Sequence, residues 1–500
     1  MLKIIICVAI LLLFVACGSN SQPEPTEPTT TAPQTEAPVV TIAEAIEIST
    51  HNEYIVALEV DPETRMIQGI SRINFTNRTG KPLQDIVLRV FLNAFQQDVY
   101  PRPYPPDLVN RMHRPGDGRG YMVIEYASIN NASIDFTLDA TILTLHLAQT
   151  IEPDATAQIL LQYHAYVPQL GHYMGGSDDA MWLGMFLPII AVHGTNGWYT
   201  QAFYPIGTPF FLETAHYQVS ITTPAHYTVV ATGHRMEEIV GEGDMKMTRF
   251  AATMARDFAF AVLSPNYSSA SIATESGVQI SLHYVSEEVG RRAEEILETA
   301  RTTFKHFENT VGIYPFVNIN IVETSLLHNH ASFSQMIFAD GRHLMHSGLT
   351  GLSLEVGGQW FSQVVGINPV AEPWLEMGLS RFVHASIANY SPQLMSSHVE
   401  QIHRVLQEQE EMIIAQGINS YTNRSYFVAT QGLKPVLMLY QLQQRIGEDV
   451  FAQLLQEYYQ RFSFQIASVE DFIAMAEDAY GGSLAEFFHM WLEEGYLPDM

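Results

Sequence analysis

Cysteine is almost absent from this 500-residue sequence, which has only Cys7 and Cys17. Lys3 is followed by an apolar run over residues 4–16, and a charged residue before a short apolar run is typical of a signal peptide. Removal of residues 1–16 would take Cys7 away and leave no second cysteine. We therefore expect an exported chain that has no disulfide, no zinc site made of cysteine thiolates and no catalytic cysteine.

Basic residues are also scarce, because 25 Lys and Arg stand against 53 Asp and Glu, for a formal net charge of -28. Nucleic-acid binding requires cationic groups that neutralise phosphates, so we predict no nucleic-acid partner. The same excess of acid weakens attraction to anionic lipid surfaces. With 47% hydrophobic residues, the chain is nevertheless long enough to bury more than one core.

The apolar run at residues 4–16 falls short of the ~20 residues that a membrane-spanning helix needs. It leads into Cys17-Gly18-Ser19-Asn20, and the whole segment resembles a bacterial lipoprotein signal. This resemblance implies cleavage before Cys17, lipidation of Cys17 and anchoring to the outer face of a bacterial membrane. Residues 17–45 are rich in Pro, Thr and Glu, which predicts a disordered tether behind the lipidated cysteine.

Alternation of apolar and polar residues dominates residues 46–265. One such run holds Tyr54, Val56, Leu58 and Val60, and a second run covers residues 67–75. Period-two alternation is typical of strands with one buried face. We predict a β-rich domain over residues 46–265.

Helical periodicity prevails in residues 266–500. A set of apolar residues falls on one face of a long predicted helix: Val289, Ala293, Ile296, Leu297, Ala300, Phe304 and Phe307. Residues 317–322 indicate a buried strand, and the chain beyond Leu352 is predicted to be mostly helical. The expected fold class is α+β and multidomain.

The main functional signal lies in residues 354–361 (LEVGGQWF) and residues 374–378 (WLEMG). A zinc helix of the HExxH type places two His one turn apart with a general-base Glu between them, and a third ligand comes from elsewhere. The two segments resemble the HELAHQWF and WLNEG motifs of the aminopeptidase N-like gluzincin metallopeptidases. Residues 359–376 also keep that family's spacing of 18 between the second His and the ligand Glu.

Other segments resemble the same family, namely residues 88–95 (LRVFLNAF), residues 312–323 (GIYPFVNINIVE) and residues 446–451 (IGEDVF). The resemblance thus extends over most of the chain after the tether. It implies a β-rich, saddle-like N-terminal domain followed by a thermolysin-like, mostly helical domain.

The resemblance also implies that the zinc ligands are replaced in this chain. Leu354 and Gly358 stand at the two His positions, and Met377 stands at the position of the ligand Glu. Glu355, at the general-base position, is kept. The Glu that holds the substrate amine in the family's GAMEN motif corresponds to Ser332.

Two residues of this chain are candidates for the position of the family's transition-state Tyr. The YxKG motif places it at Ala429, with Gly432 retained, whereas Tyr426 lies three residues earlier. The pair Gly357-Gly358 costs about 1 kcal/mol per glycine relative to Ala in a helix, which favours a kink or a late start of the motif helix.

The leading hypothesis is a membrane-anchored lipoprotein with a peptidase fold and no catalysis, which binds a peptide or protein. Its cleft is expected to include Ser332, Leu354, Gly358, Glu376 and Met377, with Glu355 as a residual general-base position. No metal ligand and no cofactor is predicted, because Leu and Gly have no donor atoms for zinc.

Two alternatives remain. One is an active zinc metallo-aminopeptidase with a displaced site, formed from His328, His330 or His384 together with Glu355 or Glu376. A step of one residue on a helix turns a side chain by about 100°, however, so we expect Glu376 to point away from the old ligand position. The other alternative is a structural or assembly partner at the membrane surface.

Overall fold

The structure, a computed structural model, describes residues 51–96, 119–169, 172–326, 330–345, 349–406 and 412–497. The predicted signal peptide (residues 1–16), Cys17 with its tether (residues 17–45) and His328 lie outside the described residues. No helix in the described ranges is long and apolar enough to cross a membrane. The expected order, a β-rich part followed by a mostly helical part, is confirmed.

The first part consists of strands with one 3-10 helix (Phe91–Phe95) among its described residues. In chain order the strands are β1 (Asn52–Asp61), β2 (Met66–Thr76), β3 (Leu83–Arg89), β4 (Tyr121–Ile129), β5 (Ala132–Ser133), β6 (Phe136–Asp139), β7 (Ile142–Ile151), β8 (Thr156–Tyr166), β9 (Met174–Gly176), β10 (Ala180–Leu183), β11 (Ile189–Ile190), β12 (His193–Gly194), β13 (Gly197–Trp198), β14 (Ala215–Pro224), β15 (Thr228–Ala231), β16 (His234–Val240), β17 (Met245–Ala255) and β18 (Phe260–Leu263). The largest sheet has the order β16-β17-β14-β1-β2-β8-β4-β5, and smaller sheets have the orders β15-β18-β10-β9, β11-β3-β7-β6 and β12-β13.

Strand β1 illustrates how alternation builds the largest sheet. Tyr54, Val56, Leu58 and Val60 are all buried, while the residues between them are more exposed. β1 pairs antiparallel with β2 and parallel with β14, so it is a central strand of the sheet. Because successive side chains of a strand point to opposite faces, the apolar set forms one continuous buried layer.

The second part begins with a five-stranded sheet of order β19-β20-β21-β23-β22, which leaves β22 at the edge. Its strands are β19 (Ser268–Ala273), β20 (Gln279–Tyr284), β21 (Asn318–Thr324), β22 (His330–Phe333) and β23 (Met336–Asp340). The α-helices are α1 (Glu287–Arg291), α2 (Ala293–Thr310), α3 (Gly341–Leu344), α4 (Thr350–Gly358), α5 (Pro373–Ser386), α6 (Pro392–Leu406), α7 (Arg424–Val428), α8 (Lys434–Ile446), α9 (Glu448–Phe462), α10 (Val469–Tyr480) and α11 (Ala485–Leu492). Two π-helical segments (Gln359–Val364 and Ala429–Leu433) and a 3-10 helix (Ile418–Ser420) complete it.

The LEVGGQWF segment forms the end of α4 and the start of the first π-helical segment. The helix type changes from α to π directly after Gly358. A Cβ atom at Gly357 would lie 2.5 Å from Cζ of Phe307 on α2, so the glycine permits close packing of α4 on α2. At Gly358 a Cβ atom would meet nothing nearer than Ser332, at 3.7 Å.

Trp360 has a packing role that is independent of any zinc site. Its side chain is fully buried, and its indole nitrogen donates to the carbonyl oxygen of Gly312 at 2.7 Å. The ring lies against the rings of Phe304, Phe307 and Tyr314. An aromatic cluster of this kind stabilises the core whether or not a metal binds nearby.

We predict that Gly357→Ala and Gly358→Ala shift the stability in opposite directions. The methyl group at position 357 overpacks the contact with Phe307 and should lower the free energy of unfolding by about 1–3 kcal/mol. The methyl group at position 358 has room, so removal of a helical glycine should raise the free energy of unfolding by up to about 1 kcal/mol. Urea denaturation of the two variants measures this difference, and equal effects at both positions would contradict the packing argument.

Candidate functional site

A cavity of about 170 Å³ lies where the two motif helices meet the first part of the chain. Helices α4, α5 and α7 form three of its walls, and the edge strand β22 forms a fourth. The remaining lining comes from His172, Tyr173 and the loop over residues 205–210, which precedes β14. The cavity thus draws its lining from both parts of the chain.

The three positions that correspond to zinc ligands all line this cavity. Leu354 and Gly358 lie one turn apart on α4, and Met377 lies on α5. Leucine and glycine side chains have no lone pair for a metal, and the Met thioether is a soft ligand that suits Cu(I) better than zinc. The family's zinc therefore does not fit this set of residues, although their positions converge.

Glu355 lines the cavity beside these positions, but its environment is that of a buried acid. Burial raises the pKa of Glu355 to about 7, although the charges of Arg381 and Arg424 lower it. Both arginines line the same cavity, Arg381 from α5 and Arg424 from α7. Two guanidinium groups therefore act electrostatically on the general-base position.

Glu376 lies on α5 directly before Met377, the residue at the old ligand position. It lines the cavity together with Met377, Ser380 and Arg381, because residues four apart share a helix face and the cavity is wide enough for two adjacent rows. Burial and the charge of Glu355 raise the pKa of Glu376 to about 8, although hydrogen bonds from Ser362 and Thr208 lower it.

The Ser332 hydroxyl, at the position of the amine-binding Glu, is engaged with α4. It donates to the backbone carbonyl of Glu355 at 3.1 Å and accepts from Nε2 of Gln359 at 2.7 Å. A hydroxyl cannot supply the negative charge that attracts an ammonium group. The structure thus offers no ionic partner for a substrate amine at this position.

Gln359 is a site residue that the sequence analysis missed. Besides Ser332, its Nε2 donates to the Phe333 carbonyl at 2.9 Å, and its Oε1 accepts from the Tyr314 hydroxyl at 2.8 Å and from the Gln335 amide at 3.1 Å. The side chain is fully buried and ties β22 to α4. Gln359 belongs to the QWF stretch that this chain shares with the family's HELAHQWF motif, and this match was the signal that could have identified it.

Ala429 and Gly432 lie in the second π-helical segment, next to α7. Ala429 is buried and does not line the cavity, and Tyr426 contacts the ring of Tyr421. Gly432 has a steric role, because a Cβ atom there would lie 2.7 Å from Nε of Arg381. The retained glycine thus makes room for a cavity-lining arginine.

Two tyrosine hydroxyls fix the loop that covers the cavity. Tyr173 donates to the carbonyl of Gly207, and Tyr204 donates to the carbonyl of Tyr421. Gly207 adopts φ +66, and a Cβ atom there would lie 2.7 Å from Cζ of Phe427 on α7. The positive φ and the close contact both favour glycine here.

The histidines proposed for a displaced metal site are not gathered around the cavity. His330 lines it, whereas His384 is not among its lining residues and lies near His306 and His398. Within the described ranges, no group of three or more His, Cys, Asp and Glu side chains is arranged to hold a metal ion. His328 lies outside these ranges.

Residues 352–491 match the model of the Peptidase family M1 domain. The fold is similar to that of an M1 zinc metallopeptidase from Deinococcus radiodurans, at 15% identity and a TM-score of 0.65, over 90% of this chain and 96% of that one. A mutant of the Deinococcus enzyme bound to a Tyr-Ser-Ala substrate gives 15% identity, the same coverages and a TM-score of 0.63.

A two-domain M1 zinc metallopeptidase mutant bound to L-arginine has 15% identity and a TM-score of 0.66, over 90% of this chain and 95% of that one. No curated protein matches the sequence. The chain therefore has the two-domain fold of the M1 metallopeptidases, as the motifs implied.

We predict that Glu376→Gln stabilises the chain at alkaline pH. A carboxyl whose pKa is raised in the folded state holds its proton there more tightly than when unfolded. The wild type should therefore lose stability as the pH rises from the ordinary Glu value of 4.5 to about 8. Glutamine is neutral throughout, so the variant should exceed the wild type in free energy of unfolding at pH 8.5, by on the order of 1–3 kcal/mol.

At pH 5 the same substitution should change the free energy of unfolding little, because Glu376 is then protonated in the folded chain. The matched control is Glu59→Gln, at an exposed position on β1. Urea denaturation at both pH values measures the effect. An equal change at pH 5 and pH 8.5 would contradict the proposed proton retention.

Proposed function

We propose that this chain is a lipid-anchored, exported protein that uses a metallopeptidase fold to bind a peptide without hydrolysing it. One observation carries the proposal: the positions of all three zinc ligands line one cavity, and Leu354, Gly358 and Met377 occupy them. The scaffold that would assemble a zinc site is present, whereas the donor atoms are not.

Hydrolysis is not expected, because Glu355 lacks an activated water. In metallopeptidases the zinc lowers the pKa of its bound water from about 15.7 to about 7, which lets a carboxylate act as general base. No donor set for this metal exists at the three positions. The transition-state position also lacks a hydroxyl if it corresponds to Ala429, which is buried away from the cavity.

Peptide binding is supported by the cavity itself. It is lined by charged, hydroxyl and apolar groups and lies beside β22, the edge strand of its sheet. An edge strand has unpaired backbone groups that can hydrogen-bond to an extended peptide. The solved structures with this fold include one bound to Tyr-Ser-Ala and one bound to an amino acid.

We expect the wild-type chain to bind less than about 0.1 zinc per molecule and the variant L354H/G358H/M377E to bind about one zinc. The substitutions restore two imidazoles one turn apart and a carboxylate, and a Cβ atom at position 358 has room. Metal analysis after dialysis against zinc measures this. Stoichiometric zinc in the wild type, with chelator-sensitive aminopeptidase turnover, would support the displaced-site alternative instead.

A control variant distinguishes zinc binding from catalytic turnover. Adding Glu355→Gln to the triple variant should leave the zinc content unchanged and remove any turnover that the triple variant gains. If the triple variant folds but binds no zinc, the correspondence of the three positions with the ligand positions is wrong.

We predict that Cys17→Ala releases the protein from the membrane fraction when the full chain is expressed in a bacterium. The thiol of Cys17 would carry the lipid, and alanine cannot be acylated at its side chain. Palmitate labelling and fractionation measure the effect, with Cys7→Ala as the matched control that should stay labelled. Equal membrane association of both variants would contradict lipid anchoring through Cys17.

A further inference from the structure

The guanidinium group of Arg381 is a charged group that lines the cavity. Arg381 lies on α5 and lines the cavity, and within the described part of the chain it donates no hydrogen bond. Its charge interacts with that of Glu355. A guanidinium has five N–H donors in a fixed planar fork, so a group of this kind in a cavity calls for an acceptor.

Ser380, the neighbour of Arg381, presents a second unused polar group. It lines the cavity, its residue is only 5% exposed, and its hydroxyl has no hydrogen-bond partner among the described residues. A buried hydroxyl without a partner is unfavourable, because it has lost its hydrogen bonds to water. Ser380 and Arg381 therefore offer two adjacent sets of donors at one place.

Arg424 adds a second positive charge to the same cavity from α7. The Asn423 side chain caps this helix by accepting from the backbone amide of Ser425 at 2.7 Å, which fixes the turn that carries Arg424. The charge of Arg424 acts on Glu355, His330 and Arg381. Two guanidinium groups thus face one cavity from different helices.

Among the described residues, the acceptors of the cavity leave the Arg381 guanidinium and the Ser380 hydroxyl without a hydrogen bond. The Glu376 carboxyl takes hydrogen bonds from Ser362 and Thr208. Ser332 stands where a carboxylate would bind an amine, and its hydroxyl is engaged with α4. Glu355 remains as the acid that faces both arginines.

We propose that the cavity binds the C-terminal carboxylate of a peptide, held by Arg381 and Arg424 with the Ser380 hydroxyl as a further donor. This inference rests on the proposed peptide-binding function and reverses the polarity of an aminopeptidase site, which holds an amine. Planar guanidinium groups recognise carboxylates through paired N–H···O hydrogen bonds, and such charge-assisted bonds are stronger than neutral ones. The ligand class is a peptide with a free C-terminus.

The test compares three forms of the tripeptide Tyr-Ser-Ala by calorimetric titration of the full mature chain at pH 7. The forms are the free peptide, the C-terminal amide and the N-acetylated peptide with a free C-terminus. We expect amidation to weaken binding at least tenfold and acetylation to change it less than threefold. In Arg381→Gln the free and amidated forms should bind with similar affinity.

The matched control is Arg445→Gln, an exposed arginine on α8, which should keep the tenfold preference for the free C-terminus. Arg424→Gln provides a second cavity variant, and thermal melting of each variant verifies folding. If amidation leaves the affinity unchanged, the carboxylate inference is wrong while the peptide-binding function stands. If none of the three forms binds, both are wrong.

Discussion

The carboxamide of Gln359 joins helix α4 to the edge strand β22, and the geometry of the cavity depends on this link. It donates to the Ser332 hydroxyl and accepts from the Tyr314 hydroxyl, inside a fully buried environment. Loss of either partner would leave a buried polar group unsatisfied, which is unfavourable by about 1–3 kcal/mol. The network therefore holds strand and helix in one register, and the register brings Glu355 and its neighbours to the cavity.

A second constraint is the buried guanidinium of Arg256, which connects three segments of the chain. Its fully buried guanidinium donates to the carbonyls of Leu212 at 2.8 Å, Val364 at 3.1 Å and Gln465 at 3.2 Å. Gly366 leaves the space that this side chain fills. These bonds connect the first part of the chain to the end of the first π-helical segment and to the loop after α9. A buried cation with several acceptors is tolerated, whereas an unpaired one is not, so the tie is specific.

The sequence predicted the order of the two parts and the meeting of positions 354, 358 and 377, because strand alternation and motif spacing are local signals. The roles of Gln359 and Arg381 could not be predicted. A glutamine or arginine on a helix is usually exposed, and only tertiary packing shows which face is covered. The hydrogen bonds of Glu376 with Ser362 and Thr208 could not be predicted either, because helix geometry gives the direction of a side chain but not the groups that it meets.

The electrostatics of the cavity explain why its replacements belong together. A divalent cation at the old ligand positions would lie in the same cavity as Arg381 and Arg424, so a carboxylate ligand such as the family's Glu would be needed to offset their repulsion. Leu354, Gly358 and Met377 are neutral, and they stand in place of the ligands that would hold such a cation there. The guanidinium groups of Arg381 and Arg424 supply positive charge that acts on Glu355. Because two guanidinium groups face the single Glu355 carboxyl, the cavity favours an anionic group close to the old zinc position.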